Sequence, residues 1–316
     1  MELFLSHDSA LSYWRNARCS GFVPQGAPWV PFVVEAPTRQ IEIFELLLRL
    51  REFGIVPPVH ILVGRAQRNR SLPGFVIHAT EMPFGNQAFV AVDSAAAVSC
   101  PEFCYLQMAS RQSLAGEIRL GFELCGTYAQ QARENGNAVF QLPPLTSQRR
   151  LLACADALPG WKGVGVMRRA LRFVRPNAAS PMEAALCMLL CLPHALGGYG
   201  LPMPQMNYAV TVESQRLGGV RERRCDLFWP EFRLGVEYDS DAYHALREKL
   251  HADAARRVDL GLNDIDVVSV TIEQLRDARA LEDVARLLAG KMGKRIHPLV
   301  LAPSETRANL RRQLLT

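Results

Sequence analysis

The stretch RRCDLFWPEFRLGVEYDS, residues 223–240, leaves the chain few options. Arg223 to Trp229 and Leu234 to Asp239 are rich in strand formers, and Pro230 to Arg233 separates them as a turn. Set in register about that turn, Trp229 faces Leu234, Leu227 faces Val236 and Cys225 faces Tyr238. These six make one apolar face. On the other face Phe228 meets Gly235, Asp226 meets Glu237 and Arg224 meets Asp239. A two-residue period of this kind specifies an antiparallel hairpin with one face buried.

The register sets two carboxylates opposite each other. Asp226 and Glu237 would have Cβ atoms roughly 4.5–5.5 Å apart, where like charges are destabilising. A divalent cation removes that cost, and carboxylate oxygens suit Mg²⁺ or Mn²⁺. Asp239, two residues beyond Glu237, points to the same side, and Gly235 leaves room for a substrate backbone. The competing reading is a solvated outer face on which Arg224 offsets the charge.

The hairpin sits in a chain of 316 residues, enough for two domains. The expected class is α/β. Residues 1–155 read as an N-terminal α/β domain. Helices are expected at SHDSALSYWRNAR, at QIEIFELLLRLREFG closed by Gly54, at CPEFCYLQMASR and at LAGEIRLGFELCGTYAQQAR. PVHILVG, FVIHAT and QAFVAVD read as strands. Residues 156–179 read as a basic helix, about Val164 to Arg175, followed by a Pro/Asn/Ser linker. Residues 180–316 then give helix (Pro181 to about Leu196), strands at MNYAVTVE, RRCDLFW and LGVEYD, a helix from about Ala242 to Leu262, a strand at DVVSVT and a helix through ALEDVARLLAGKM. The terminal SETRANLRRQLLT reads as a peripheral basic helix.

Bulk properties exclude more than they assign. No charge-free apolar run reaches transmembrane length, and the start lacks a basic-then-apolar signal, so the expectation is a cytoplasmic chain with no membrane partner. The eight cysteines contain no C-x-x-C pair and read as free thiols. Residues 1–150 hold 13 Lys+Arg against 12 Asp+Glu, and residues 151–316 hold 23 against 19. That excess is too small to argue nucleic-acid binding by itself. GGYG, Gly197 to Gly200, reads as a helix C-cap and turn, because no Lys-Ser/Thr follows it. His7, His78 and His194 read as structural.

Glu183 in SPMEAAL, Asp226 in RRCDLFWP and Glu237 in LGVEYDS together resemble the acidic set of the PD-(D/E)XK nuclease superfamily. The pattern over about Ser180 to Leu275 is similar to endonuclease-like domains related to very-short-patch repair endonucleases. The resemblance implies a restriction-endonuclease-like αβββαβ domain and a metal-dependent DNA endonuclease using Mg²⁺ or Mn²⁺. Asp226 would be the first metal ligand and Glu237 the second acidic residue, with Asp239 standing where the superfamily often has Lys. His244 in DAYH matches a histidine near the active site of the repair enzymes, and Asp253 and Arg256 match a recurrent pair. Arg224, Arg247, Lys249 and Arg256 are the candidate contacts to the DNA backbone. Ser240 replaces a usual glycine. Glu183 has a second reading as the third helical residue of a capping box begun by Ser180, and one residue can do both. His244 also reads as a surface histidine at a helix start.

The first part, through SHDSALSYWR and PEFCYLQMA, resembles the middle region of type IV abortive-infection antitoxins and related regulators, without their winged helix-turn-helix. Sequence-specific DNA reading by that route is therefore not expected. The alternative reading to the nuclease is a non-catalytic DNA-binding regulator or antitoxin-like protein built on a nuclease fold. The N-terminal residues show no chemistry of their own, which leaves a protein partner as the expectation for that domain.

Overall fold

In the computed structural model of the chain, residues 3–21, 40–65, 71–80, 88–131, 138–213, 219–239, 263–297 and 304–315 are described. They form a mixed α/β protein that divides into two units, Met1–Val174 and Arg175–Thr316. No helix among the described residues is long and apolar enough to cross a membrane.

The first unit is built on β1 (Leu3–Leu5), β2 (Val59–Gly64), β3 (Phe75–Thr80), β4 (Phe89–Ala91) and β5 (Ala96–Ser99). They form one sheet in the order β3-β2-β1-β5-β4. β1 is central, parallel to β5 and antiparallel to β2. Sequence patterning does not announce it, because three buried residues carry no alternation. The small residues of β5 hide that strand in the same way. Helix α1 (His7–Cys19) buries Ala10, Leu11, Trp14 and Ala17 at helical spacing. Trp14 Nε1 donates to Ser99 O at 2.8 Å, which ties the helix to β5. Helix α2 (Gln40–Glu52) ends as expected at Gly54. Gly54 takes φ +71°, a left-handed backbone that favours glycine, and a Cβ there would also crowd the Asn16 side-chain amide.

Helices α3 (Pro101–Met108), α4 (Leu114–Cys125), α5 (Gln148–Ala157) and α6 (Val164–Leu171) complete the unit. Three differ from expectation. α5 forms where the sequence reading places no element. α4 stops at Cys125, well short of the helical run read through Arg133. The backbone beyond it leaves the helix for a small ribbon, β6 (Ala129–Gln130) with β7 (Ala138–Val139). The cause is Arg18, whose guanidinium donates to Glu123 O, Gly126 O, Tyr128 O and Pro143 O at 2.7–3.1 Å. α6 is not a linker helix. Met167, Ala170 and Leu171 are buried, and the helix packs on α4 and α5. Arg168 faces outward to Asp156 at 2.8 Å.

The second unit opens with α7 (Pro181–Cys191). It ends sooner than expected, because Leu192 before Pro193 is held extended. A 3-10 turn, His194–Leu196, closes at Gly197 with φ +92°. Strands β8 (Gln205–Glu213), β9 (Val220–Trp229), β10 (Leu234–Asp239) and β11 (Asp266–Thr271) form a sheet in the order β11-β10-β9-β8. β8, β9 and β10 are an antiparallel meander, and β11 is parallel to β10. A parallel neighbour needs a long crossover, and the helix expected from Ala242 to Leu262 lies outside the described residues. α8 (Ile272–Arg276) starts on a Thr271–Gln274 capping box, and α9 (Ala278–Lys291) on Asp277. α10 (Glu305–Leu315) is less peripheral than expected, since it packs on α7 and buries Leu310 and Leu314. The eight cysteines are free thiols.

Candidate functional site

The site grows from the start of α7. Ser180 caps the helix, its Oγ accepting from Glu183 N at 3.1 Å. The Glu183 carboxylate turns back, as a capping-box glutamate does, but Oε2 accepts from Ala179 N at 2.9 Å. The same oxygen accepts from Asn207 Nδ2 at 2.6 Å. Glu183 is 8% exposed. Burial, and then the charge of Asp226, push its pKa up to about 7.

Asp226 comes to this point from β9. The hairpin register holds for Trp229–Leu234, Phe228–Gly235 and Leu227–Val236. The ladder ends there, so the three expected pairs beyond it, Asp226–Glu237, Cys225–Tyr238 and Arg224–Asp239, do not form. Asp226 Oδ2 instead accepts from Tyr238 N at 2.7 Å, a carboxylate standing in for the partner strand's carbonyl. Cys225 does not share the face of Leu227. It packs with Phe228 and Ile265, and a Cβ on Gly235 would meet its Sγ at 2.8 Å. Gly235 thus makes room for Cys225 rather than for a substrate. On β8 the register brackets Asn207 opposite Asp226, between the pairs Met206–Leu227 and Tyr208–Cys225. Asn207 has φ +48°. Few residues other than Asn, Asp and Gly adopt that backbone within a strand. The face change therefore crosses two strands at one level, and at that level Asn207, Glu183 and Asp226 meet.

Glu237 and Asp239 are half-buried, paired along β11 with Ser269 and Thr271. Arg224 is exposed and pairs with Glu222 at 3.1 Å. His244, Arg247, Lys249, Asp253, Arg256 and Ser240 lie outside the described residues. Among the described residues no three His, Cys, Asp or Glu side chains form a ready metal-binding group. The donor chemistry of the meeting point still suits a hard cation. Two carboxylates are near enough for one charge to raise the other's pKa, and an Mg²⁺ ion with oxygen ligands relieves that repulsion.

Sequence reasoning missed Asn207. Its one signal is an asparagine inside QMNYAV, a residue depleted in strands.

Over 117 residues, 37% of its length, the chain is 27% identical to Uncharacterized protein MT2308 of Mycobacterium tuberculosis (strain CDC 1551 / Oshkosh). The same figures hold for Uncharacterized protein Rv2248 of Mycobacterium tuberculosis (strain ATCC 25618 / H37Rv). The match spans 39% of the length of each relative. No family model matches the chain, and no solved structure matches it.

Proposed function

We propose that residues 175–316 are a DNA-acting domain of the PD-(D/E)XK type that hydrolyses phosphodiester bonds with Mg²⁺ or Mn²⁺. The observation that carries the reading is the meeting of Glu183 from α7 with Asp226 from β9, at a level where both flanking strands depart from regular pairing. The order α7-β8-β9-β10-β11 is compatible with an αβββαβ core whose second helix would come from 242–262.

In this reading Asp226, Glu237 and Asp239 would hold the cation, with Glu183 beside them. A bound Mg²⁺ supplies a water of lowered pKa and offsets charge on the scissile phosphate. Glu183, hydrogen-bonded by Ala179 N and Asn207 Nδ2 beside Asp226, is placed to take a proton from that side of the site or return one. Asn207 keeps the Glu183 carboxylate aimed across the sheet while it does so. His244 is a second proton-transfer candidate. Arg224, Arg247, Lys249 and Arg256 contact phosphates.

One observation favours the other reading, a non-catalytic DNA-binding regulator. Glu183 Oε2 and Asp226 Oδ2 are already engaged by protein donors. A binding platform needs no more than that. Asp226→Asn separates the two, because an amide oxygen still accepts from Tyr238 N while the charge is gone. The expected result is nicking of supercoiled plasmid by the wild type with Mg²⁺ or Mn²⁺, abolished in Asp226→Asn with melting unchanged. DNA binding without nicking across several DNA forms would establish the regulator instead.

A further inference from the structure

Three histidines meet in the first unit, from three separate elements. His7 opens α1, His60 lies in β2 and His78 in the edge strand β3. β2 and β3 are parallel, with Leu62 opposite His78, so His60 and His78 stand diagonally on one side of the pair. His60 Nδ1 and His78 Nε2 are 3.0 Å apart. Asp8 Oδ2 lies 3.4 Å from the same Nδ1. The His7 ring stacks on His78 with centroids 3.6 Å apart, and its Nδ1 is held by Ser6 Oγ at 3.0 Å. His60 and His7 are 6% and 7% exposed.

This arrangement is short of hydrogens. A ring nitrogen carries at most one hydrogen, and two lone-pair-bearing atoms face His60 Nδ1. If His60 Nδ1 carries it, Asp8 and His78 compete for it. If His78 Nε2 carries it, the Asp8 oxygen looks at a bare lone pair.

We propose that His60 and His78 bind a divalent transition-metal ion of the zinc class, with Asp8 as the third ligand. The side chains are not closed on a metal position as they stand, and Arg111 Nε lies 3.2 Å from Asp8 Oδ2 on the other side. Asp8 and Arg111 have side chains 47% and 40% exposed, so both are free to turn apart into solvent. Two imidazoles and one carboxylate suit Zn²⁺, Ni²⁺ or Cu²⁺ and disfavour Mg²⁺. The site differs in metal class from the carboxylate set of the second unit, and it does not depend on the nuclease reading. Its effect would be to fasten the edge strand β3 to β2 and to the start of α1. His7, stacked behind His78, would fix the plane of that ring.

The test uses the full chain, stripped of metal, at neutral pH with excess Mg²⁺. Zn²⁺ is titrated by calorimetry and Co²⁺ by visible absorption. The expected result is one Zn²⁺ per chain, weakened roughly tenfold or more in His78→Ala and in Asp8→Asn and unchanged in Asp226→Asn. Circular dichroism confirms that each variant is folded. His78 is only half-buried, so its truncation leaves the core intact. Absence of Zn²⁺ binding by folded wild type, equal binding in His78→Ala, or a thiolate-to-cobalt absorption band would each overturn the proposal.

Discussion

Asp226 already has a partner before any ligand arrives. Its Oδ2 replaces a strand carbonyl for Tyr238 N, and its charge bears on Glu183. Glu183 is the residue at which this becomes measurable. Its folded pKa of about 7 lies above the reference value of 4.5, so between those values the folded state holds more protons than the unfolded one. Stability therefore falls as pH rises from 4.5 to about 7, by an amount on the order of 3 kcal/mol, and stays low above that. Glu183→Gln keeps an oxygen for Ala179 N and Asn207 Nδ2 and has no charge to bury. The expected outcome is a flatter pH profile, with the variant at pH 8 as stable as wild type or more so. Opening of α7, read by hydrogen exchange at pH 5 and pH 8 and corrected for intrinsic rates, checks this. A wild type that loses no more stability than the variant would show Glu183 to be ionised at no cost.

At the scale of elements, the boundaries that matter are drawn by side chains from elsewhere in the chain. α4 ends where Arg18, on α1, collects four carbonyl oxygens. Arg18 is 2% exposed and joins the end of α1 to the end of α4 and to the turn at Pro143. Arg18→Met preserves length and apolar volume but strips the hydrogen bonds from those four carbonyls. The expected cost is about 3 kcal/mol or more, because acceptors left buried without a donor forfeit their hydration. Thermal melting of the full chain would show the loss in the first unit, and retention of the wild-type melting temperature would rule this account out. The hairpin β9–β10 shows the same rule in another form. Its register follows the alternation from Trp229 to Leu227, then ends where the Asp226 carboxylate takes over a backbone partner.

For the whole molecule, the division at Val174 and Arg175 reassigns the charge. With α6 counted in the first unit, residues 1–174 hold 17 Lys+Arg against 13 Asp+Glu, and residues 175–316 hold 19 against 18. The basic excess read from the second half of the sequence belongs to α6 and its neighbours. In the proposed reading, a second unit close to neutral would attract DNA through placed arginines rather than through net charge. Residues 184–191 of α7 are buried throughout, as are Leu227, Trp229, Leu234 and Val236. The fragment 175–316 is therefore expected to fold alone with a cooperative melt. If Arg224, Arg247, Lys249 and Arg256 are its phosphate contacts, log affinity for duplex DNA should fall against log salt with a slope of about −3 to −4. A fragment that melts cooperatively yet shows no salt-dependent binding would move DNA recognition to the first unit.

The sequence by itself determined the parts whose cause is local. A two-residue period set the β9–β10 register next to the turn, Ser-Pro-x-Glu set the start of α7, and Gly54 set the end of α2. Each is a matter of backbone geometry and near neighbours, and each is legible in a short window. Tertiary structure decided what a window cannot hold. It ended α4 at Cys125, drew α6 into the first unit, turned Cys225 away from Leu227 and set Asn207 between Glu183 and Asp226. It also brought His7, His60 and His78 together from positions with no common spacing. The physical reasons are two. Apolar side chains on α6 and at Cys225 are buried against residues distant in sequence, and a polar side chain such as Arg18 or Asp226 that takes a distant partner overrides the local pattern, because leaving that partner buried and unmatched would cost more than breaking the period.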